Sequence, residues 1–180
     1  MKQLSTAEIR DDLRELLSQT PLFAQCSDTL HDFIIDSADL RQYEASEVIV
    51  ESDTQSESYS IIVRGEAKVK LSDGAVVGEL SATDGFGEIG LLLDENRSAS
   101  VIANELVLIL TLAKPQFEEC FIKFPEFGRR IAEVLAQRLS STLQLVPSIG
   151  EQHFESESGV LSLLPTSMMQ RHLIMPVETQ

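Results

Sequence analysis

The chain has 180 residues, a formal net charge of −15 and a hydrophobic fraction of 43%. This length allows one domain with an appendage and a sizeable core. A surface this acidic repels phosphate backbones and anionic membranes, which argues against nucleic-acid binding. No apolar run approaches the roughly 20 residues of a membrane span, and the N-terminus lacks the apolar core of a signal peptide. We therefore expect a cytoplasmic protein.

Two helices are predicted at the N-terminus. The first begins at Ser5, which forms a capping box with Glu8, and it ends before Pro21 because proline cannot continue a helix. The second begins at Ser27 and continues through an apolar stripe. Together they define an N-terminal helical segment, residues 1–38.

Beyond residue 38 the hydrophobic period changes to that of β-strands. Residues 58–71 are interpreted as a hairpin that turns at Gly65, and Asp73-Gly74 marks the next turn. The remaining predicted strands are residues 47–51, 76–80, 98–103 and 106–112. Short strands flanked by helices at both ends predict an α+β fold built on a small β-roll or barrel.

The pattern becomes helical again from Pro115. One helix is predicted over 116–124, and a longer one opens at Pro125. The stripe Ile131, Leu135, Leu139 and Leu143 predicts either a core face or a dimer seam along residues 126–145. The β-roll with these helices is assigned to residues 39–146. The acidic segment 147–180 is interpreted as a tail or a partner-binding segment, not as a second domain.

The chemistry concentrates in residues 85–99. Between Lys70 and Lys114, Arg97 is the only lysine or arginine, and seven acidic residues surround it in the sequence. Gly85 and Gly87 allow a ligand to approach the backbone, while Glu88 can accept hydrogen bonds from hydroxyl groups. Arg97 offers a charge-assisted contact to an anion. A phosphorylated sugar fits this pattern, although Arg97 could instead form a surface salt bridge with Asp94 or Glu95.

The run Phe86-Gly87-Glu88-Ile89-Gly90-Leu91-Leu92, followed by Arg97-Ser98-Ala99, resembles the phosphate-binding cassette of cyclic-nucleotide-binding domains, such as those of the catabolite activator and the regulatory subunit of protein kinase A. The resemblance covers most of residues 10–145 and implies an eight-stranded, jelly-roll-like β-roll. It implies that Glu88 binds the ribose 2′-hydroxyl and that Arg97 pairs with the cyclic phosphate. It also implies a binding set composed of Phe86, Gly87, Glu88, Ile89, Arg97, Ser98 and Ala99.

Some positions depart from the family pattern or leave it open. Asn96 stands where many members have proline, but this removes no ligand-contacting group. Ser98 leaves the choice between cAMP and cGMP open, since its hydroxyl could reach a guanine. On the long helix, Arg138, Ser141 and Thr142 are candidate base contacts, with an ordinary solvated helix face as the alternative.

Other classes of site are not indicated. His31, His153 and His172 have no ligand-like spacing, so we expect no metal, and no nucleophile–base–acid set indicates an enzyme. Cys26 and Cys120 are expected to be buried free thiols. Residues 147–180 are too short and acidic for a helix-turn-helix domain, so DNA binding is not carried over. The leading hypothesis is a cyclic-nucleotide sensor that regulates a protein partner, and the alternative is a nucleotide-blind scaffold module.

Overall fold

The computed structural model describes residues 2–4, 6 and 9–145 of the chain. Its strands are β1 (Lys2–Leu4), β2 (Asp39–Tyr43), β3 (Val48–Val50), β4 (Ser58–Arg64), β5 (Ala67–Lys70), β6 (Val76–Leu80), β7 (Gly85–Phe86), β8 (Ser100–Ala103) and β9 (Val107–Ala113). Its helices are α1 (Arg10–Gln19), α2 (Asp28–Ser37), α3 (Glu88–Leu93), α4 (Lys114–Lys123) and α5 (Pro125–Leu145).

Two antiparallel sheets form the predicted β-roll. One has the strand order β1-β2-β9-β4-β7, and the other has the order β3-β8-β5-β6. Strands β2 to β9 supply the eight strands that the family resemblance implied, and β1 extends the edge of the first sheet by pairing with β2. The α+β fold and its eight-stranded roll are therefore confirmed.

The first sheet is buried on both faces because helices cover its outer side. Neighbouring side chains of β4 and β9 point to opposite faces, as the two-residue period of a strand requires. Ile62 and Ile109 join the cluster between the sheets, whereas Ile61 and Leu110 join the cluster beneath the helices. Strands β4 and β9 thus form the central layer of the domain.

The predicted hairpin over 58–71 is wrong. Strand β4 pairs with β7 and β9, while β5 pairs with β6 and β8, so the two strands lie in different sheets. The turn between them has Gly65 at φ +88°, and a Cβ there would lie 2.5 Å from the Leu106 carbonyl oxygen. The hairpin formed instead is β5–β6, around the predicted turn at Asp73-Gly74.

The helices agree with the sequence in part. Ser27 caps α2, since its side chain accepts a hydrogen bond from the Leu30 amide. The start of the first helix was predicted too early, because α1 begins at Arg10 without a side-chain cap. Ser5, Glu8 and the tail 147–180 lie outside the described residues. Within those residues, no helix is both long and apolar enough to cross a bilayer.

Candidate ligand site

The cassette segment is placed by the end of the first sheet. Strand β7 pairs with β4, with Ser60 opposite Phe86. Gly87 then turns the chain at φ +99° and caps the short helix α3. A Cβ on Gly87 would lie 2.0 Å from Arg97 Nη1 and 2.8 Å from the Ser58 carbonyl oxygen, so only glycine fits this turn without displacing its neighbours.

Arg97 lies beneath this turn and is only 7% exposed. Its Nη2 donates to the Ser58 carbonyl oxygen at 2.6 Å and to Ser58 Oγ at 3.3 Å. Its Nη1 is buried and has no hydrogen-bond partner among the described residues. Burial lowers the pKa of the guanidinium, and the charge of Glu88 opposes that shift. The site therefore holds a desolvated cation with an unused donor.

The alternative salt bridge for Arg97 is not formed among the described residues. Asp94 instead accepts from Lys114 Nζ at 2.5 Å, which links the end of α3 to the start of α4. That pair lowers the pKa of Asp94 and raises the pKa of Lys114. Glu95 is exposed. Within the described part of the chain, Arg97 thus has no carboxylate in salt-bridge contact.

Glu88, in the first turn of α3, is 4% exposed. Its carboxylate accepts a hydrogen bond from Arg138 Nη1 on α5, and the arginine is 7% exposed. This buried ion pair joins the cassette to the long helix. Glu88 and Arg138 are 50 residues apart, so their pairing depends on the packing of α5 against the roll.

The three candidate base contacts on α5 differ in what the structure shows of their side chains. Arg138 contacts the Glu88 carboxylate, which lines the cleft. The Ser141 hydroxyl donates to the Gln137 carbonyl oxygen of its own helix at 2.9 Å. The side chain of Thr142 lies outside the described residues. Base contact by these three residues stays a prediction.

The cassette lines a cleft with about 680 Å³ of space not filled by protein atoms, part of it open to solvent. All seven residues of the predicted binding set line it: Phe86, Gly87, Glu88, Ile89, Arg97, Ser98 and Ala99. Ser98 is exposed, Ala99 is half-buried, and Phe86 packs into the cluster between the sheets.

Sequence reasoning missed three polar residues of the site or its immediate support. Ser58 holds Arg97, and Ser56 lines the cleft with a buried hydroxyl that has no hydrogen-bond partner. The hydroxyl of Tyr59 lies where a Cβ on Gly85 would be, 1.8 Å away. These residues carry no local motif, and the β4 pairing that places them could not be read from the sequence. The glycine at 85 was the one available signal.

The glycine turn, the buried Glu88 and the buried Arg97 of this β-roll meet at one cleft, which suits a small anionic ligand. The family model of the cyclic nucleotide-binding domain matches residues 40–124. The family resemblance stated from the sequence is therefore confirmed over these residues, which are a little under half of the chain.

Curated relatives support the same class. The chain is 38% identical over 92 residues to a cAMP-dependent protein kinase regulatory subunit of Mycosarcoma maydis, a match covering 49% of this chain and 18% of the relative. It is 27% identical over 124 residues to the Pycsar effector protein XpPycTIR of Xanthomonas perforans, covering 68% of this chain and 41% of that protein. The matches thus span less than half of either relative.

Solved structures support the fold. The cAMP-bound PfPKA-R fragment matches with a TM-score of 0.64 and 18% identity, over 75% of this chain and 45% of that one. The regulatory domain of Toxoplasma gondii PKA, crystallised with cAMP, matches with a TM-score of 0.64 and 24% identity, over 75% of this chain and 52% of that one. At these identities the likeness establishes the shared fold alone.

Proposed function

We propose that this protein is a cytoplasmic sensor of a cyclic nucleotide, cAMP or cGMP, which regulates a protein partner through movement of its C-terminal helices. The observation that carries the proposal is Arg97, a buried guanidinium at the wall of a cleft, whose Nη1 has no hydrogen-bond partner in residues 9–145. A buried charge is costly unless an opposite charge or hydrogen bonds compensate it. A cyclic phosphate supplies both.

Glu88 supports the sugar half of the ligand. Its carboxylate lies in the first turn of α3 and lines the same cleft as Arg97. Arg138 already donates to this carboxylate, and a carboxylate can accept further hydrogen bonds, such as one from a ribose 2′-hydroxyl. The pair of residues thus matches a ligand with one anionic group and a neighbouring hydroxyl.

The contact between Glu88 and Arg138 supports the proposed helix movement. A ribose hydroxyl that hydrogen-bonds to Glu88 changes the environment of the carboxylate that Arg138 contacts on α5. Ligand binding would therefore shift the balance between two positions of α5, as a population shift requires. The proposed output of this movement is regulation of a protein partner. The tail 147–180 and a homodimer through residues 126–145 are the proposed elements of that output.

The proposal is tested by calorimetry of cAMP and cGMP with the wild-type protein and with Arg97→Ala. Loss of the charge pair with the phosphate is expected to weaken binding by about 2–5 kcal/mol, the usual cost of removing one partner of a buried pair. The variant should fold, because it removes a buried cation that has no ion pair among the described residues. Equal affinity of variant and wild type would contradict the proposal.

A matched control is Arg129→Ala. Arg129 has the same charge but is 74% exposed on α5, and its contact with Glu133 is long, at 3.8 Å. It should leave the affinity unchanged. The nucleotide-blind alternative predicts that millimolar cAMP, cGMP and cyclic dinucleotides all leave the melting temperature of the wild type unchanged, whereas a bound ligand raises it.

A further inference from the structure

The Ser56 hydroxyl is a second unused polar group at the cleft. Ser56 lies between β3 and β4 and is 3% exposed, and within the part of the chain that the structure describes its Oγ has no hydrogen-bond partner. Buried hydroxyl groups in proteins are normally hydrogen-bonded, so each exception needs a reason. Here the residue also lines the cleft that contains Arg97.

Ser56 and Arg97 lie beneath the same turn of α3. A Cβ on Gly90 would lie 2.0 Å from Ser56 Oγ, and a Cβ on Gly87 would lie 2.0 Å from Arg97 Nη1. Gly87 caps α3, and Gly90 follows three residues later in the first turn of that helix. The two glycines therefore leave room for two buried donors, a guanidinium and a hydroxyl.

We propose that Ser56 is a further ligand-binding residue, whose hydroxyl donates a hydrogen bond to an exocyclic oxygen of the phosphate that Arg97 binds. Both donor atoms are covered by the backbone of α3, so the contact forms when the turn Gly87–Gly90 shifts as the anion enters. This inference rests on the proposed function, because it adds a contact to the same phosphate site.

The test is the affinity of Ser56→Ala for cAMP and cGMP, together with the stability of the ligand-free variant. We expect the dissociation constant to rise about fivefold to tenfold, the range for one hydrogen bond to a charged group or slightly less. The melting temperature of the ligand-free variant should be unchanged or higher, since a buried hydroxyl without a partner has been removed. Ser56→Cys, which keeps the size but is a weak donor, should lose affinity similarly.

Thr54→Ala is the matched control. It removes a hydroxyl from the same loop, but Thr54 is exposed and its Oγ1 donates to the Glu51 carbonyl oxygen. Its affinity for the nucleotide should equal that of the wild type.

The Rp and Sp phosphorothioate forms of cAMP identify the contact, because each replaces one exocyclic phosphate oxygen with sulfur. If Ser56 donates to one of these oxygens, the affinity loss in Ser56→Ala is smaller for the diastereomer that carries sulfur there. An equal loss for cAMP and both diastereomers would overturn the phosphate contact. A wild type that binds no cyclic nucleotide would refute the proposed function itself, whereas binding that is indifferent to Ser56→Ala refutes this inference alone.

Discussion

The buried ion pair between Glu88 and Arg138 gives the sharpest prediction about stability. The two side chains are 5% and 8% exposed, so water can replace little of the interaction if one partner is lost. Arg138→Met leaves a buried carboxylate and Glu88→Met leaves a buried guanidinium. Each single variant is expected to lose about 3–5 kcal/mol of unfolding free energy.

The double variant leaves neither charge buried. Because methionine has a similar length and is apolar, we expect the double variant to lose less stability than either single variant. Urea unfolding of the four proteins without ligand measures these values. Asp94→Asn is the control, since its partner Lys114 is 27% exposed and Asp94 is 82% exposed, and exposed pairs contribute at most about 1 kcal/mol. Single variants within 1 kcal/mol of the wild type, or a double variant that loses the sum of the two, would refute the reasoning.

Further predictions concern backbone and thiol groups. Gly87→Ala should cost more stability than Gly74→Ala. Both glycines have positive φ, but a Cβ at residue 87 would lie 2.0 Å from Arg97 Nη1. A Cβ at residue 74 would lie 3.6 Å from the end of a flexible side chain. The left-handed backbone conformation accounts for about 1–2 kcal/mol of the loss in each variant. Equal losses of unfolding free energy in urea would show that the predicted clash at Gly87 is wrong. Burial raises the pKa of the Cys120 thiol to about 12 and also raises the pKa of Cys26. Stability from Cys120 is therefore complete below its unfolded pKa of about 9 and is lost as pH rises toward 12. Thiol labelling at pH 8 should be slow in the folded protein and rapid in urea. The variant Cys26→Ser reports on Cys120, and rapid labelling of this variant in its folded state would contradict the prediction.

The cassette could be predicted from the sequence because its information is local. The glycine turn, Glu88 and Arg97 fall within a dozen residues, and all of them line the observed cleft. The predictions that were wrong concern strand pairing between residues far apart in the sequence. The hairpin over 58–71 was inferred from adjacency, yet β4 is central and carries one isoleucine toward each core, so its neighbours are β7 and β9. The same pairing brings Ser58 against Arg97 across 39 residues of chain, which no local motif reports.

The packing around Tyr59 explains how a change at the cleft can reach both ends of the domain. The Tyr59 ring contacts Phe23, before α2, at 5.7 Å and Phe117, on α4, at 5.6 Å between centroids. Both phenylalanines in turn contact Phe127 at the start of α5. Residue 138, near the other end of α5, reaches α3 through its bond to Glu88. The near end of α5 is thus fixed by aromatic packing, which is insensitive to charge, and the far part by an ion pair beside the ligand site. Val134 is the last buried apolar residue in the described part of α5. If a ligand alters the ion pair, as we propose, the segment of α5 beyond Val134 is the expected moving element.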